Sequence, residues 1–505
     1  MIDLTPIARQ LFSGRLREAA RFVSHGDTVQ REELDMLLQQ ASRTEIGIKY
    51  GFGERMTYAT FRERVPLHGY EDLRERIMRM VRGEKNVLWR GRVTHFAQSS
   101  GTSDGKSKYI PISDESFKRC HYRGGSDVVA HYLNINPESR MFSGKGFILG
   151  GSFANELTLQ PGVRVGDLSA NLIDNINPVV NLMRVPDKHT ALMQDWSKKL
   201  PAIVEASRRQ NVTNISGVPS WFLTVLKEVI KREGAACIHD VWPNLEVFFH
   251  GGISFEPYRD EYASICDNSR MHYIETYNAS EGFFAVQSSA ESNAMLLLLD
   301  VGVFYEFIPL EDVDSDSPRV LPIWEVERGK TYSLVISANN GLWRYKIGDT
   351  VRVEQTSPVK IKIAGRTKHF INAFGEELMV HNADEAIKRA CRDTGAMIAN
   401  YTAAPVYACG DRHGRHEWLI EFNRQPDDIA RFAEVLDGHL QAVNSDYEAK
   451  RAGGIFLDCL TVVVAQEGLF DRWLGSTGKL GGQRKVPRLS NDRHIIDAMI
   501  EMNNQ

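Results

Sequence analysis

The chain begins with helical periodicity and turns to a strand-rich pattern near residue 87. In "VQREELDMLLQQA" (29–41) the apolar positions Leu34, Leu37 and Leu38 share one helical face, and residues 1–50 as a whole read as helices. "EDLRERIMRMVRG" reads as one amphipathic helix with Met78 and Met80 packing on the core. From about 87, short apolar runs between glycines, such as "GFILGGSF" and "LEVFFHGGISF", alternate with helical stretches such as "PSWFLTVLKEVIKREG". Strands interleaved with helices predict α/β layers.

Residues 331–365, "TYSLVISANNGLWRYKIGDTVRVEQTSPVKIKIAG", read as short strands joined by Asn-Gly and Ser-Pro turns. After "GRTKH" the pattern changes again. "NADEAIKRACRDTG" and "PDDIARFAEVLDGHLQAVN" are helices with acidic first turns, which suit the positive end of the helix dipole. Between and after them lie the strands "YTAAPVYA", "EWLIEF" and "GIFLDCLTVVVA". The expectation is an α/β chain in two parts. A large multi-layer N-terminal domain, residues 1–364, has sheets flanked by helices. A small α+β domain, residues 365–505, follows a boundary near Gly365–Lys368.

A length of 505 residues fits more than one core. Net charge −4 and a pI near 6.5 leave no basic excess for a nucleic-acid backbone. The amphipathic start, with Arg9, Arg15 and Arg17, lacks the apolar core of a signal peptide. "AMLLLLDVGVFYEFIPL" (294–310) is broken by Asp300 and Glu306 and reads as buried strands, not a membrane span. Six scattered cysteines show no metal spacing and suggest a reducing, cytoplasmic setting. Monomer or oligomer is left open.

Candidate chemistry concentrates first in "HFAQSSGTSDGKSKYIPIS" (95–113). Its Gly105-Lys106-Ser107 triplet invites a P-loop reading, but that pattern needs glycine at position 100, which is Ser100. "YIPIS" also continues as a strand, where a P-loop opens a helix. The alternatives are a plain Ser/Gly/Thr linker and a cradle of hydroxyls (Ser99, Ser100, Thr102, Ser103) and glycine-freed amides (Gly101, Gly105), with Lys106 and Lys108 adding charge.

"SSGTSDGKSK" resembles the first nucleotide motif of the auxin-responsive acyl acid–amido synthetases, in the adenylate-forming superfamily that includes firefly luciferase; the chain reads as a bacterial-type member. The pattern Ser-Ser-Gly-Thr-Ser-x-Gly-x-x-Lys is matched at every fixed position, with Lys108 as the patterned lysine. Four further stretches match in the family's order. "YNASEGFFA" is similar to the Tyr-x-x-Ser-Glu motif (Tyr277, Ser280, Glu281). "GLWRYKIGDTV" resembles Tyr-Arg-x-Gly-Asp, with Lys346 in place of the arginine, then Gly348 and Asp349. "GRTKHFINAFGEEL" resembles the interdomain hinge, and "KVPRL" the C-terminal lysine motif.

The resemblance implies attack of a carboxylate on the α-phosphorus of ATP, then transfer of the acyl group to an amino acid amine. The loop at 99–108 would hold the β- and γ-phosphates, and Glu281 would hold Mg2+, a hard cation that takes a carboxylate plus phosphate oxygens. Tyr277 would stack on adenine, and Asp349 would accept both ribose hydroxyls. Gly251 and Gly252, in "FFHGGISFEPY", lie in the loop expected along the adenine. A plain glycine turn is the alternative there, and His250 beside it is a structural histidine or a base. Lys485 would meet the charge building at the α-phosphate, with Lys479 as its competitor. The small domain would rotate about Arg366 and Lys368; many superfamily members have aspartate at the latter position. Coenzyme A as acceptor, or nucleotide binding without turnover, are the alternative readings.

Overall fold

The protein, represented by a computed structural model, is described over residues 3–99, 107–153, 155, 157–313, 315–366, 370–409, 412–454, 456–476 and 486–504. Among these residues one 12-stranded sheet organises the large part of the molecule. Its antiparallel half runs, in spatial order, Leu321–Pro322, Val303–Pro309, Thr331–Ala338, Tyr345–Thr356, Val359–Arg366, Met295–Leu297, Gly282–Gln287 and His272–Ala279. Its parallel half continues with Val247–His250, Val212–Gly217, Lys145–Ile148 and Arg184–Val185. The strand His272–Ala279 joins the halves, parallel to Val247–His250 and antiparallel to Gly282–Gln287.

The sequence pattern explains this division. Val247–His250 is buried along its whole length, as a parallel strand covered by helices on both faces must be. The helix Pro219–Glu233 packs over the parallel half. It starts with a proline, whose missing N–H would have been unpaired anyway, and ends at Gly234 in the left-handed region, φ +63°. The helix Arg21–Ala41 buries Leu34, Leu37 and Leu38, and Tyr70–Val81 buries Met80 with Met78 packed beside it. The apolar run 294–310 supplies the buried strands Met295–Leu297 and Val303–Pro309. No described helix is long and apolar enough to cross a membrane.

One buried ion pair fastens the antiparallel half. Arg344, at φ +42°, donates from Nε to Glu306 at 2.9 Å and from Nη1 to the carbonyls of Arg62 and Val65. Both side chains are almost wholly buried, so this pair constrains the turn that leads into the strand Tyr345–Thr356.

A separate three-stranded sheet carries the hydroxyl-rich loop. His95–Ser99 and Lys108–Ile112 are antiparallel, and Arg164–Gly166 runs parallel to the first. Because 108–112 is strand and not helix, the P-loop alternative is excluded. The Tyr109 N–H donates to the Tyr70 hydroxyl at 2.8 Å and ties the second strand to the neighbouring helix.

Beyond Arg366 the chain builds a smaller sheet, Met397–Val406, Arg415–Arg424 and Thr461–Ala465. Side chains alternate across it as strand geometry requires. Trp418 and Ile420 face Phe432 and Leu436 of the helix Ile429–Val443, whereas Leu419 faces Leu469, Phe470 and Ile496. The first cluster also contains Phe222, Trp242 and Phe248, so this unit and the parallel half of the large sheet share one apolar core. The six cysteines are all unpaired.

Candidate functional site

Three separate stretches of sequence meet at the end of the loop-bearing hairpin. Ser99 and Lys108 are cross-strand partners, so they close the loop between them like the two sides of a clasp. Ser100, Gly101, Thr102, Ser103, Gly105 and Lys106 fall outside the described residues. Ser107 is held by Gln98, whose Nε2 donates to its hydroxyl at 3.0 Å.

The second stretch is a hairpin tip. Ala279 pairs with Gly282, leaving Ser280 and Glu281 as the two connecting residues. Glu281 is 9% exposed, and Asn340 Nδ2 donates to its carbonyl oxygen at 3.0 Å. Burial pushes the Glu281 carboxyl up, Lys108 pulls it back down, and the charges of Asp349 and Glu377 add to the rise. Four charged groups therefore share one neighbourhood.

Asp349 belongs to the third stretch, directly after Gly348, which adopts φ +94°. It is 8% exposed and accepts a 2.7 Å hydrogen bond from the Tyr277 hydroxyl. The Tyr277 ring is 4% exposed and packs edge-on against Phe284, with centroids 5.0 Å apart. Its geometry thus differs from the stacking role expected of it: the ring is buried in the core, and the phenol reaches the site through Asp349.

Gly251 and Gly252 follow the strand Val247–His250, next to Tyr277's strand. A Cβ on Gly251 would lie 2.4 Å from the Thr276 carbonyl oxygen, so only glycine fits, and Gly252 has φ +84°. His250 stacks on Phe255 at 4.5 Å, and burial pushes its pKa down to about 3. That is a neutral core histidine, as the structural alternative had it.

One residue here was not anticipated. Glu377, at φ +40°, comes from the small unit's hairpin of Phe370–Ile371 and Leu378–Met379. It accepts from the Ser99 hydroxyl at 3.3 Å. Its neighbour Glu376 turns the other way, accepting from the Phe374 N–H at 2.6 Å and pairing with His416 Nε2 at 2.8 Å. The signal was the Gly-Glu-Glu turn inside "NAFGEELM", but nothing in that stretch says which acid faces the loop.

The hinge and lysine motifs are only partly described. The Arg366 backbone pairs with Asp349, while its side chain, and all of Lys368, Lys479 and Lys485, lie outside the described residues. Val486, next in the chain, packs with Leu419 and Ile496 on the face of the small sheet that points away from the shared core. No cluster of three metal-ligating side chains occurs among the described residues, so a cation here would rest on a carboxylate such as Glu281 together with ligand oxygens.

Known proteins match most of the chain. Residues 15–271 match the GH3 family N-terminal domain, 296–366 its central domain and 381–494 its C-terminal domain. The indole-3-acetic acid-amido synthetase GH3.4 of Arabidopsis thaliana is 23% identical, with the alignment covering 92% of this chain and 89% of that one. The jasmonoyl–L-amino acid synthetase JAR4 of Nicotiana attenuata is 23% identical over 65% of this chain and 66% of its own. Among solved structures, the AtGH3.15 acyl acid amido synthetase in complex with 2,4-DB superposes with TM-score 0.62 at 18% identity, covering 97% of this chain and 95% of that one. A 2-hydroxyisobutyryl-CoA ligase superposes with TM-score 0.53 at 13% identity over 94% and 91%, which extends the shared fold beyond amide-forming enzymes. With matched domains in order from residue 15 to residue 494, the chain belongs to the GH3 family.

Proposed function

We propose that the protein activates a carboxylic acid with ATP as an acyl adenylate and passes the acyl group to an amino acid amine, releasing AMP and pyrophosphate. The observation that carries this reading is the convergence of Ser99, Lys108, Glu281 and Asp349, drawn from three distant stretches, at one buried and charged place. Both reactants of the first step are anions, so the site must neutralise charge and hold the partners in line. The loop closed by Ser99 and Lys108 receives the phosphates. Asp349, held by Tyr277, accepts from the ribose hydroxyls. Glu281 is the residue that would hold Mg2+, which supplies charge neutralisation at the phosphate oxygens when bound. A carboxyl whose burial disfavours ionisation, among other carboxylates, is the kind of group a divalent cation relieves.

In this reading the chain divides into residues 1–364 and 365–505, which turn about Arg366 and Lys368 between the two steps. Two described positions support it: Glu377 faces the loop, and Val486, beside the lysine, packs on the opposite face of the small sheet. Lys485, with Lys479 as the alternative, then serves the adenylation step from a second orientation. The six unpaired thiols suit a cytoplasmic setting.

Acid-dependent exchange of labelled pyrophosphate into ATP tests the first step. A panel of carboxylic acids that gives no exchange, with protein shown to be folded, would refute it.

A further inference from the structure

Behind the Glu377 hairpin the small unit buries a lysine against the large sheet's helices. Lys450, on the helix Ser445–Arg451, is 4% exposed, yet among the described residues its ammonium makes no hydrogen bond and no ion pair. Its nearest partner is the Trp221 ring, 3.8 Å from Nζ to the centroid. The Trp221 Nε1–H is buried and, among the described residues, donates to nothing. The two donors belong to different units, and both border Gly375. A Cβ there would lie 3.8 Å from Lys450 Nζ and 3.8 Å from Trp221 Nε1.

Asp446, Asp167, Glu376 and Glu377 act on Lys450 only through space, and none forms an ion pair with it among the described residues. Glu376 is taken by His416 and the Phe374 N–H, and Asp167 accepts the Ser152 N–H at 2.6 Å. The nearby Lys199 ammonium is spent on the Gly150 and Gly151 carbonyls. A buried indole N–H and an ammonium on a side chain only 4% exposed, neither hydrogen-bonded among the described residues, carry a desolvation cost that an anionic ligand would remove. The helix bearing Lys450 is tied directly to the hairpin that reaches the nucleotide loop. Asn444, which caps that helix by accepting the Tyr447 N–H at 2.7 Å, also donates from Nδ2 to the Glu377 carbonyl at 3.3 Å.

We propose that Lys450 and the Trp221 indole N–H receive the free α-carboxylate of the amino acid acceptor, whose amino end lies toward Glu377 and the nucleotide site. The proposal rests on the amide-forming reading above and deepens it. Gly375 and Glu377 are two residues apart, at most about 7 Å of backbone, a span that an α-amino acid with a ~2.8 Å contact at each end bridges. The charges run the right way: the cation stands beside Gly375, and the carboxylate of Glu377 stands at the nucleotide end. A neutral amine or a thiol would leave the buried ammonium unmatched, so the pair selects for a carboxylate beside the amine.

The test compares acceptors differing only in that group, amino acids against their carboxamides, in wild type, Lys450→Met and Trp221→Phe, with pyrophosphate exchange measured alongside. Wild type is expected to prefer the free amino acid. Lys450→Met should raise the KM for the free amino acid by about 30-fold, the loss of a charge-assisted contact, while leaving exchange and the carboxamide KM within a few-fold. Trp221→Phe, which keeps the ring and removes the N–H, should give a smaller loss in the same direction. An unchanged preference in a variant that still exchanges pyrophosphate overturns the proposal, as does a wild type indifferent to the carboxylate. Should Lys450→Met lose exchange through misfolding, Trp221→Phe decides by the same ratio. Absence of exchange in wild type with every acid would instead strike the amide-forming reading itself.

Discussion

Replacing Tyr277 by phenylalanine separates two roles for this residue that the sequence motif leaves together. If the ring stacks on adenine, phenylalanine keeps the stacking surface and ATP binding survives. If the phenol positions Asp349, phenylalanine removes the one group that matters. The donor–acceptor distance is 2.7 Å and the two residues are 4% and 8% exposed, so water has no easy access to replace the lost hydroxyl. A hydrogen bond to an ionised group contributes about 1.5–3 kcal/mol. The burial at both ends argues for the upper part of that range, and 2–3 kcal/mol corresponds to about 30- to 150-fold. The expected result in pyrophosphate exchange is a fall of that order in kcat/KM for ATP, with the KM for the acid within about twofold. Tyr277→Ala, which also empties core volume beside Phe284, should be little worse for ATP at a temperature where it stays folded. A Tyr277→Phe enzyme with near-normal ATP kinetics beside a crippled Tyr277→Ala would refute the positioning account and restore stacking.

Glu281→Gln should abolish adenylation, by at least about 100-fold, yet raise the melting temperature of the nucleotide-free protein. Burial holds the Glu281 carboxyl above its ordinary 4.5, so the folded chain binds that proton more tightly than the unfolded one, and stability is lost as pH rises through the raised value. The glutamine variant's advantage should therefore be larger at pH 8 than below the ordinary 4.5, at pH 4; a lower melting temperature than wild type at pH 8 would contradict this. Gly251→Ala forces a Cβ to within 2.4 Å of the Thr276 carbonyl and should cost about 1–3 kcal/mol, seen as a lower melting temperature together with a raised ATP KM. Glu306→Ala strands the Arg344 guanidinium in the core and should destabilise by about 3–5 kcal/mol, read by thermal unfolding, through loss of fold and not of any contact to the loop.

The fold was legible where one residue's environment is set by its near neighbours. Leu34, Leu37 and Leu38 declared a buried helix face by spacing alone, and Pro111 together with the misplaced glycine told strand from P-loop helix. Gly251 and Gly348 stood out by their places in the matched stretches, and the backbone there excludes a side chain at the first and takes a positive φ at the second. What the sequence withheld depends on docking between distant segments. That the β-rich stretch 331–365 continues the same sheet as the parallel strands is decided at His272–Ala279, which pairs with both. Tyr277's burial follows from packing against Phe284, and Glu377's approach to Ser99 spans 278 residues of chain. Lys450 and Trp221 lie in different units, and neither shows by sequence alone that its polar group goes unmatched.

The most direct measurement of the central claim is mass spectrometry of the products formed from ATP, Mg2+, a panel of carboxylic acids, mixed amino acids and coenzyme A. The account expects an acyl–amino acid amide to appear in step with AMP and pyrophosphate. A thioester as the sole acyl product, or ATP cleaved to ADP, would contradict it.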